Sequence, residues 1–202
     1  MKQILIIEAS PRGQDSASRA VTDKLSARLA ALYPTARLIR RDLAAQALPH
    51  LDDLTLRAIT TRDPTEAASL RDAASLSDQL ADELLATDLL VIATPMWNFG
   101  IPPTLKAWID LVVRAGRTFT FKDDGVVGLA TGKKAILVLA SGGVFSGGPW
   151  APLDFVEPYL RQILGFIGIS DVQVVRAEGM NVPPLAADAV PKAEKAVEEL
   201  AL

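Results

Sequence analysis

Four short apolar runs punctuate the chain, at residues 4–7, 89–93, 135–139 and 172–175, each bounded by charged or turn-forming residues. Runs of that length and character suit strands buried on both faces. A fifth, weaker run, "ARLIRRDL" from Ala36, is flanked by arginines and predicts an edge strand. Between the runs the spacing changes to that of amphipathic helices. Val21, Leu25, Leu29 and Leu32 share one face, and so do Ala73, Leu76, Leu80 and Leu84. The same spacing joins Leu105, Trp108, Ile109 and Val112, then Leu153, Val156, Leu160, Ile163 and Ile167, and finally Ala193, Val197 and Leu200.

Strands alternating with helices predict a parallel sheet covered on both faces, because parallel neighbours need a crossover and the crossover helices bury the sheet. Five strands in 202 residues favour an α/β, doubly wound, flavodoxin-like five-stranded sheet of order 2-1-3-4-5, in a single domain over residues 1–202. Ligands of such sheets sit beyond the carboxyl ends of the strands, so the loops after the first, third and fourth strands are the ones to inspect. Residues 49–64, with "HLDD" and "TTRDP", read as a lid or irregular connection that could pack at an oligomer surface.

The first of these loops, "ASPRGQDSASRA" at residues 9–20, holds Ser10, Ser16 and Ser18 between a buried strand and a helix. Free N–H groups, hydroxyls and the positive helix end would cradle a phosphate. Asp15, Ser16 or Ser18 could equally serve as a simple N-cap, and both readings stand here. No Walker or dinucleotide glycine fingerprint is present. The second loop, "TPMWNFGIPP", places Met96, Trp97, Asn98 and Phe99 before Pro102 and Pro103, either of which can open the next helix. An uncharged aromatic set with one amide fits a flat aromatic ligand, although plugging the sheet end as core is the commoner use of such side chains. The third, "ASGGVFSGGPW", has Gly142 and Gly143 able to present N–H groups to a carbonyl or anion, or else to form a plain flexible loop. Together the three loops suit a phosphorylated flat heterocycle, flavin mononucleotide (FMN) first among them.

Composition narrows the chemistry further. Net charge is −3 with scattered basic residues, which gives no footprint for nucleic acid or an anionic membrane. There is no cysteine and only one histidine, His50, so disulfides, thiolate nucleophiles, zinc sites and a Ser-His-Asp relay all lack their parts. Glu8 interrupts the first apolar run well before signal-peptide length and no segment approaches a membrane span, so the cytoplasm is the expected location.

Several ordered motifs resemble the FMN-dependent NAD(P)H azoreductase/quinone reductase family, once labelled acyl-carrier-protein phosphodiesterases. They are the serine loop, "MWNF", "LVVRAGRTFTF" from Leu111, "GLATGKK" from Gly128, Gly142 with Gly143, and "EPYLRQILGFIGISDVQVVRAEG" from Glu157. The resemblance runs nearly end to end and implies a homodimer that binds FMN, takes electrons from NADH or NADPH, and reduces quinones and azo compounds in two-electron, ping-pong fashion. Carried over to this chain, Ser10, Ser16, Ala17 and Ser18 would bind the FMN phosphate. Pro95, Met96, Trp97, Asn98 and Phe99 would line the ring and ribityl chain, with Asn98 near the ring's polar edge. Ala140, Ser141, Gly142 and Gly143 would set backbone donors against the pyrimidine end, where they stabilise negative charge. Phe119 and Phe121 would supply an aromatic wall to the partner subunit's substrate pocket, with Phe145 also at the pocket. No catalytic acid or base and no metal is expected, because the chemistry is the flavin's. The chain departs from the family pattern at Trp97, where relatives carry tyrosine, and at Ala140-Ser141, where they carry Ser-Arg; both bear on substrate preference. A non-catalytic flavodoxin-type electron carrier is the main alternative. A hydrolase and a reductase releasing free reduced FMN rank behind it.

Overall fold

The computed structural model describes residues 1–123 and 125–202. Its main sheet contains β1 (Gln3–Glu8), β2 (Arg37–Asp42), β3 (Leu89–Pro95), β6 (Lys134–Ala140) and β7 (Asp171–Ala177), all parallel, in the order β2-β1-β3-β6-β7. This is the expected 2-1-3-4-5 order; β4 (Phe119–Lys122) and β5 (Gly125–Gly128) form a separate antiparallel hairpin.

The apolar runs are continuous because alternate residues serve opposite faces. Ile4, Ile6, Leu89, Val91, Ile136 and Val138 pack against α1 (Ala17–Leu32) and α7 (Ala189–Glu199) through Val21, Leu25, Leu29, Ala193 and Val197. Leu5, Ile7, Leu90, Ile92, Leu137 and Leu139 pack on the other face. There they meet Leu80 and Leu84 of α4 (Arg71–Leu85), Leu105, Trp108 and Ile109 of α5 (Pro103–Val112), and Leu160 and Leu164 of α6 (Glu157–Phe166). Each such fully buried aliphatic side chain contributes roughly 1.5–3 kcal/mol.

Three expectations need correction. Residues 49–64 are not irregular throughout: α2 (Asp53–Thr60) starts where Asp52 accepts from the Thr55 N–H at 2.7 Å, and α3 (Pro64–Ser69) is capped by Asp63. Leu32 ends α1 exposed, because the helix face there has run past the sheet. Leu153 does not belong to α6: it closes a 3-10 turn, Gly148–Leu153, and is exposed. The helix starts later because the Asp154 carboxylate accepts from the N–H groups of Val156 (2.8 Å) and Glu157 (3.1 Å) and so fixes its entry.

The β4–β5 hairpin is tied to the body at its end. The Ala130 N–H donates to Ile167 O and the Leu129 N–H to Thr118 O, both at 2.8 Å. Gly128 and Gly168 meet backbone to backbone, and a Cβ on Gly128 would lie 2.5 Å from Gly168 Cα and nearer still to the Gly168 nitrogen.

Candidate functional site

The carboxyl ends of β1, β3 and β6 deliver the three serine-, aromatic- and glycine-bearing loops to one edge, where they line a cleft of about 430 Å³. After β1, the Ser16 hydroxyl caps α1 by accepting from the Arg19 N–H at 3.2 Å and lies 3.1 Å from the Ser18 hydroxyl. Capping and cradling are therefore compatible. The cap uses one donor, while the N–H groups of Ala17 and Ser18 have no protein acceptor among the described residues. Ser10, Ser16 and Ser18 are all buried at the cleft wall. Behind them the Arg19 guanidinium bridges Glu8 (2.6 Å) and Asp42 (2.8 Å), fastening α1 to β1 and β2. Burial pushes the Glu8 carboxyl pKa up, against the opposing pull of Arg40 and Arg19.

After β3, the Met96 N–H donates to Ala140 O at 2.8 Å, so the chain stays in sheet register into the loop. Trp97 and Gly100 then exchange both backbone hydrogen bonds at 3.0 Å around a two-residue corner. Asn98 (φ 49°) and Phe99 (φ 68°) both adopt left-handed conformations, the geometry of a type I′ turn. Asparagine tolerates that conformation; phenylalanine there carries strain of about 1–3 kcal/mol. The Phe155 N–H donates to Phe99 O at 3.2 Å, and the Phe99 ring meets Phe145 edge-on with centroids 6.2 Å apart. Pro103 occupies the first turn of α5, as the two prolines suggested.

After β6, the carbonyls of Ser141, Gly142 and Gly143 are all engaged, accepting from the N–H groups of Met180 (3.3 Å), Asn181 (2.8 Å) and Gly179 (2.9 Å). The N–H groups of Gly142 and Gly143 have no acceptor among the described residues. Gly142 cannot carry a side chain without displacing Asn181, whose Cγ would lie 2.8 Å from its Cβ.

Of the expected cofactor residues, Ser10, Ser16, Ala17, Ser18, Pro95, Met96, Trp97, Ala140, Ser141 and Gly142 line this cleft together. Asn98 and Phe99 sit at the exposed corner of the turn, and Gly143 lines an adjoining apolar hollow with Trp150 and Val182. Phe145 is buried between Phe99 and Trp150. Phe119 packs on Phe166 at 4.6 Å, and the exposed Phe121 lines a separate hollow with Thr61 and Arg62. Arg12, Met180 and Asn181 line the cleft without having been anticipated. His50 is exposed and outside it.

These residues fit FMN. Hydroxyls and two unbonded N–H groups at the start of a 16-residue helix suit a phosphate. Pro95, Met96 and Trp97 offer an apolar wall, and the Gly142 N–H a donor on the neighbouring strand's loop. The volume falls within the ~300–1,000 Å³ of ordinary small-molecule clefts. Among the described residues there is no His/Cys/Asp/Glu group able to hold a metal, and no helix long and apolar enough to cross a membrane.

A doubly wound parallel sheet with a serine-lined loop at its first crossover defines a class, and the chain belongs to it: the family described as having the flavodoxin-like fold matches over residues 2–201. More narrowly, the chain is similar to an FMN-dependent NADH:quinone oxidoreductase of Beijerinckia indica subsp. indica, 72% identical over 202 residues with 100% of each chain covered. An enzyme of the same name from Rhizobium johnstonii is 48% identical over 205 residues, covering 100% of this chain and 99% of the other. Among solved structures, an FMN-dependent NADH-azoreductase from Bacillus anthracis str. Ames Ancestor in complex with FMN matches with a TM-score of 0.85 at 27% identity, 100% of both chains being covered.

Proposed function

We propose that this protein is an FMN-dependent oxidoreductase that passes electrons from NADH to quinones and to aromatic azo compounds. The observation that carries the reading is the convergence of unbonded N–H groups at Ala17, Ser18 and Gly142 on one cleft whose third side is Pro95, Met96 and Trp97. Ser10, Ser16, Ala17 and Ser18 would hold the phosphate, and the Met96–Trp97 segment would flank the ring. The Gly142 and Gly143 N–H groups would face the end of the ring that gains negative charge on reduction, where fixed dipoles need no reorganisation. Bound FMN supplies hydride acceptance and donation; the chain supplies binding, orientation and electrostatics. Donor and acceptor would use the same open face in turn, which steady-state kinetics would show as parallel double-reciprocal lines.

A homodimer is part of the proposal. Phe99, Trp150, Leu153 and Phe155 are exposed apolar side chains close in the fold, and an apolar patch of that kind marks an interaction surface. A partner would also bring the exposed Phe121 within reach of a substrate pocket that one subunit leaves open.

The test is direct. The purified protein should bind FMN, show the flavin spectrum, and oxidise NADH in the presence of a quinone and of an azo dye. Failure to take up FMN even when it is supplied would overturn the reading. Uptake without turnover would instead favour a carrier.

A further inference from the structure

We infer that Glu178 is a positioning residue for the cofactor: its carboxylate sets the conformation in which the glycine loop offers the Gly142 and Gly143 N–H groups. This rests on the flavin reading above. Glu178 follows β7 directly, at the same edge of the sheet as the cleft. One oxygen, Oε2, accepts from two successive N–H groups, those of Phe145 (2.9 Å) and Ser146 (3.0 Å), and Oε1 accepts from the Ser146 hydroxyl. The three residues after Glu178 donate their N–H groups to the carbonyls of Ser141, Gly142 and Gly143. The loop is thus gripped at both ends: carbonyls on the near side, N–H groups on the far side.

Ahead of the carboxylate's grip, the N–H groups of Gly142, Gly143 and Val144 have no acceptor among the described residues. Four glycines at 142, 143, 147 and 148 give this loop little conformational preference of its own. With the carbonyls of 141–143 drawn toward the 179–181 segment, the N–H groups of the same peptides turn the other way. Without an acceptor at 178, the far end of the loop is untied and the direction of those donors rests on the three carbonyl bonds alone, so it is held less tightly. A carboxylate suits the role because one oxygen takes two adjacent N–H groups.

The geometry separates position from charge. In Glu178→Gln the amide oxygen can take the place of Oε2 and accept both N–H groups, while the NH2 faces Ser146 Oγ. In Glu178→Asp the charge remains but the side chain is one methylene too short. The expected order for FMN affinity of the apoprotein, read by fluorescence titration, is wild type and Gln alike, with Asp and Ala weakened about tenfold. The two-electron midpoint potential of the bound cofactor should fall in Asp and Ala and stay near wild type in Gln. A tenfold preferential loss of affinity for reduced FMN corresponds to about 30 mV. A plain loop anchor would lower the thermal midpoint in Ala but leave affinity and potential unchanged, which would overturn the inference. A potential shifted in Gln but not in Asp would also overturn it, by assigning the effect to charge. Should the Ala variant fail to fold, the Gln and Asp pair decides alone. If wild type itself takes up no FMN, the functional reading fails; if wild type binds and all variants bind equally, only the role of Glu178 fails.

Discussion

Gly128→Ala tests whether the β4–β5 hairpin is held by a backbone-to-backbone contact. The added Cβ would stand 2.5 Å from Gly168 Cα, with the Gly168 nitrogen and the Ile167 carbonyl carbon closer still. Ordinary van der Waals contact begins near 3.4 Å, so something must move by about 1 Å. The three nearest atoms are all backbone, so the clash is not with the far end of a flexible side chain. Overpacking costs roughly 1–3 kcal/mol, and the absence of relief puts this site at the upper end. If the hairpin swings away instead, the Leu129–Thr118 and Ala130–Ile167 hydrogen bonds go, at about 1 kcal/mol each. The first route costs about 3 kcal/mol and the second about 2 kcal/mol. For a chain of this size that lowers the melting temperature by about 4–12 °C. Gly132→Ala is the control: nothing lies within 4 Å of its Cβ, although its φ of +73° leaves some backbone strain, so the loss should be about 1 kcal/mol. Differential scanning fluorimetry on both variants gives the comparison. A fall of less than 2 °C in Gly128→Ala, or equal falls in the two variants, would refute the reasoning.

Two further outcomes follow from the site and its supports. Ser16→Ala removes the α1 cap and the partner of Ser18; it should cost about 1 kcal/mol of stability and weaken FMN binding in the same preparation, and unchanged binding would count against the phosphate cradle. Stability should have a maximum on the acid side of neutrality. Burial raises the Glu8 pKa above 4.5, so folding is favoured as pH falls toward that value. Burial also opposes ionisation of Glu157, but hydrogen bonds from Arg161 and Arg176 outweigh it and hold its pKa below 4.5. Asp88, accepting from the Lys2 and Gln3 N–H groups, is likewise depressed. The stability from these two is present above their unfolded values and is lost as pH falls through the folded ones. Urea midpoints should therefore rise slightly from neutral pH and drop below about pH 4, with Glu157→Gln flattening the drop; midpoints that kept rising would contradict this.

The parallel core was legible because strands covered on both faces need no polar positions: residues 4–7, 89–93 and 135–139 are apolar without a break and fully buried. The hairpin was not. Phe121, Val126 and Val127 point outward and the strands are four residues each, so neither alternation nor length marks them. Helix α2 escaped for a similar reason, since Leu54 and Leu56 are exposed and only Ala58 is buried. At the site, serines and glycines advertise their loops by local composition. Arg12 lay in plain view within the serine loop but carries no pattern of its own. Met180, Asn181 and Glu178 reach the cleft edge by pairing with residues 141–146, more than thirty positions away, and no local signal reports such pairing. The type I′ turn is a further case: asparagine at 98 hints at it, but phenylalanine at 99 argues against it, and tertiary contacts decide.

The cleft draws its walls from residues 10–18, 95–97, 140–142 and 180–181, segments that chain connectivity keeps far apart. A ligand seated there is a cross-link that belongs to the native state alone, so by mass action it adds to folding stability: at a free concentration one hundred times its dissociation constant, about 2.7 kcal/mol. That exceeds the expected worth of the Ser16 cap. Cellular lifetime would then follow cofactor supply, with the emptied protein opening first at the carboxyl edge of its sheet and the refilled one closing there.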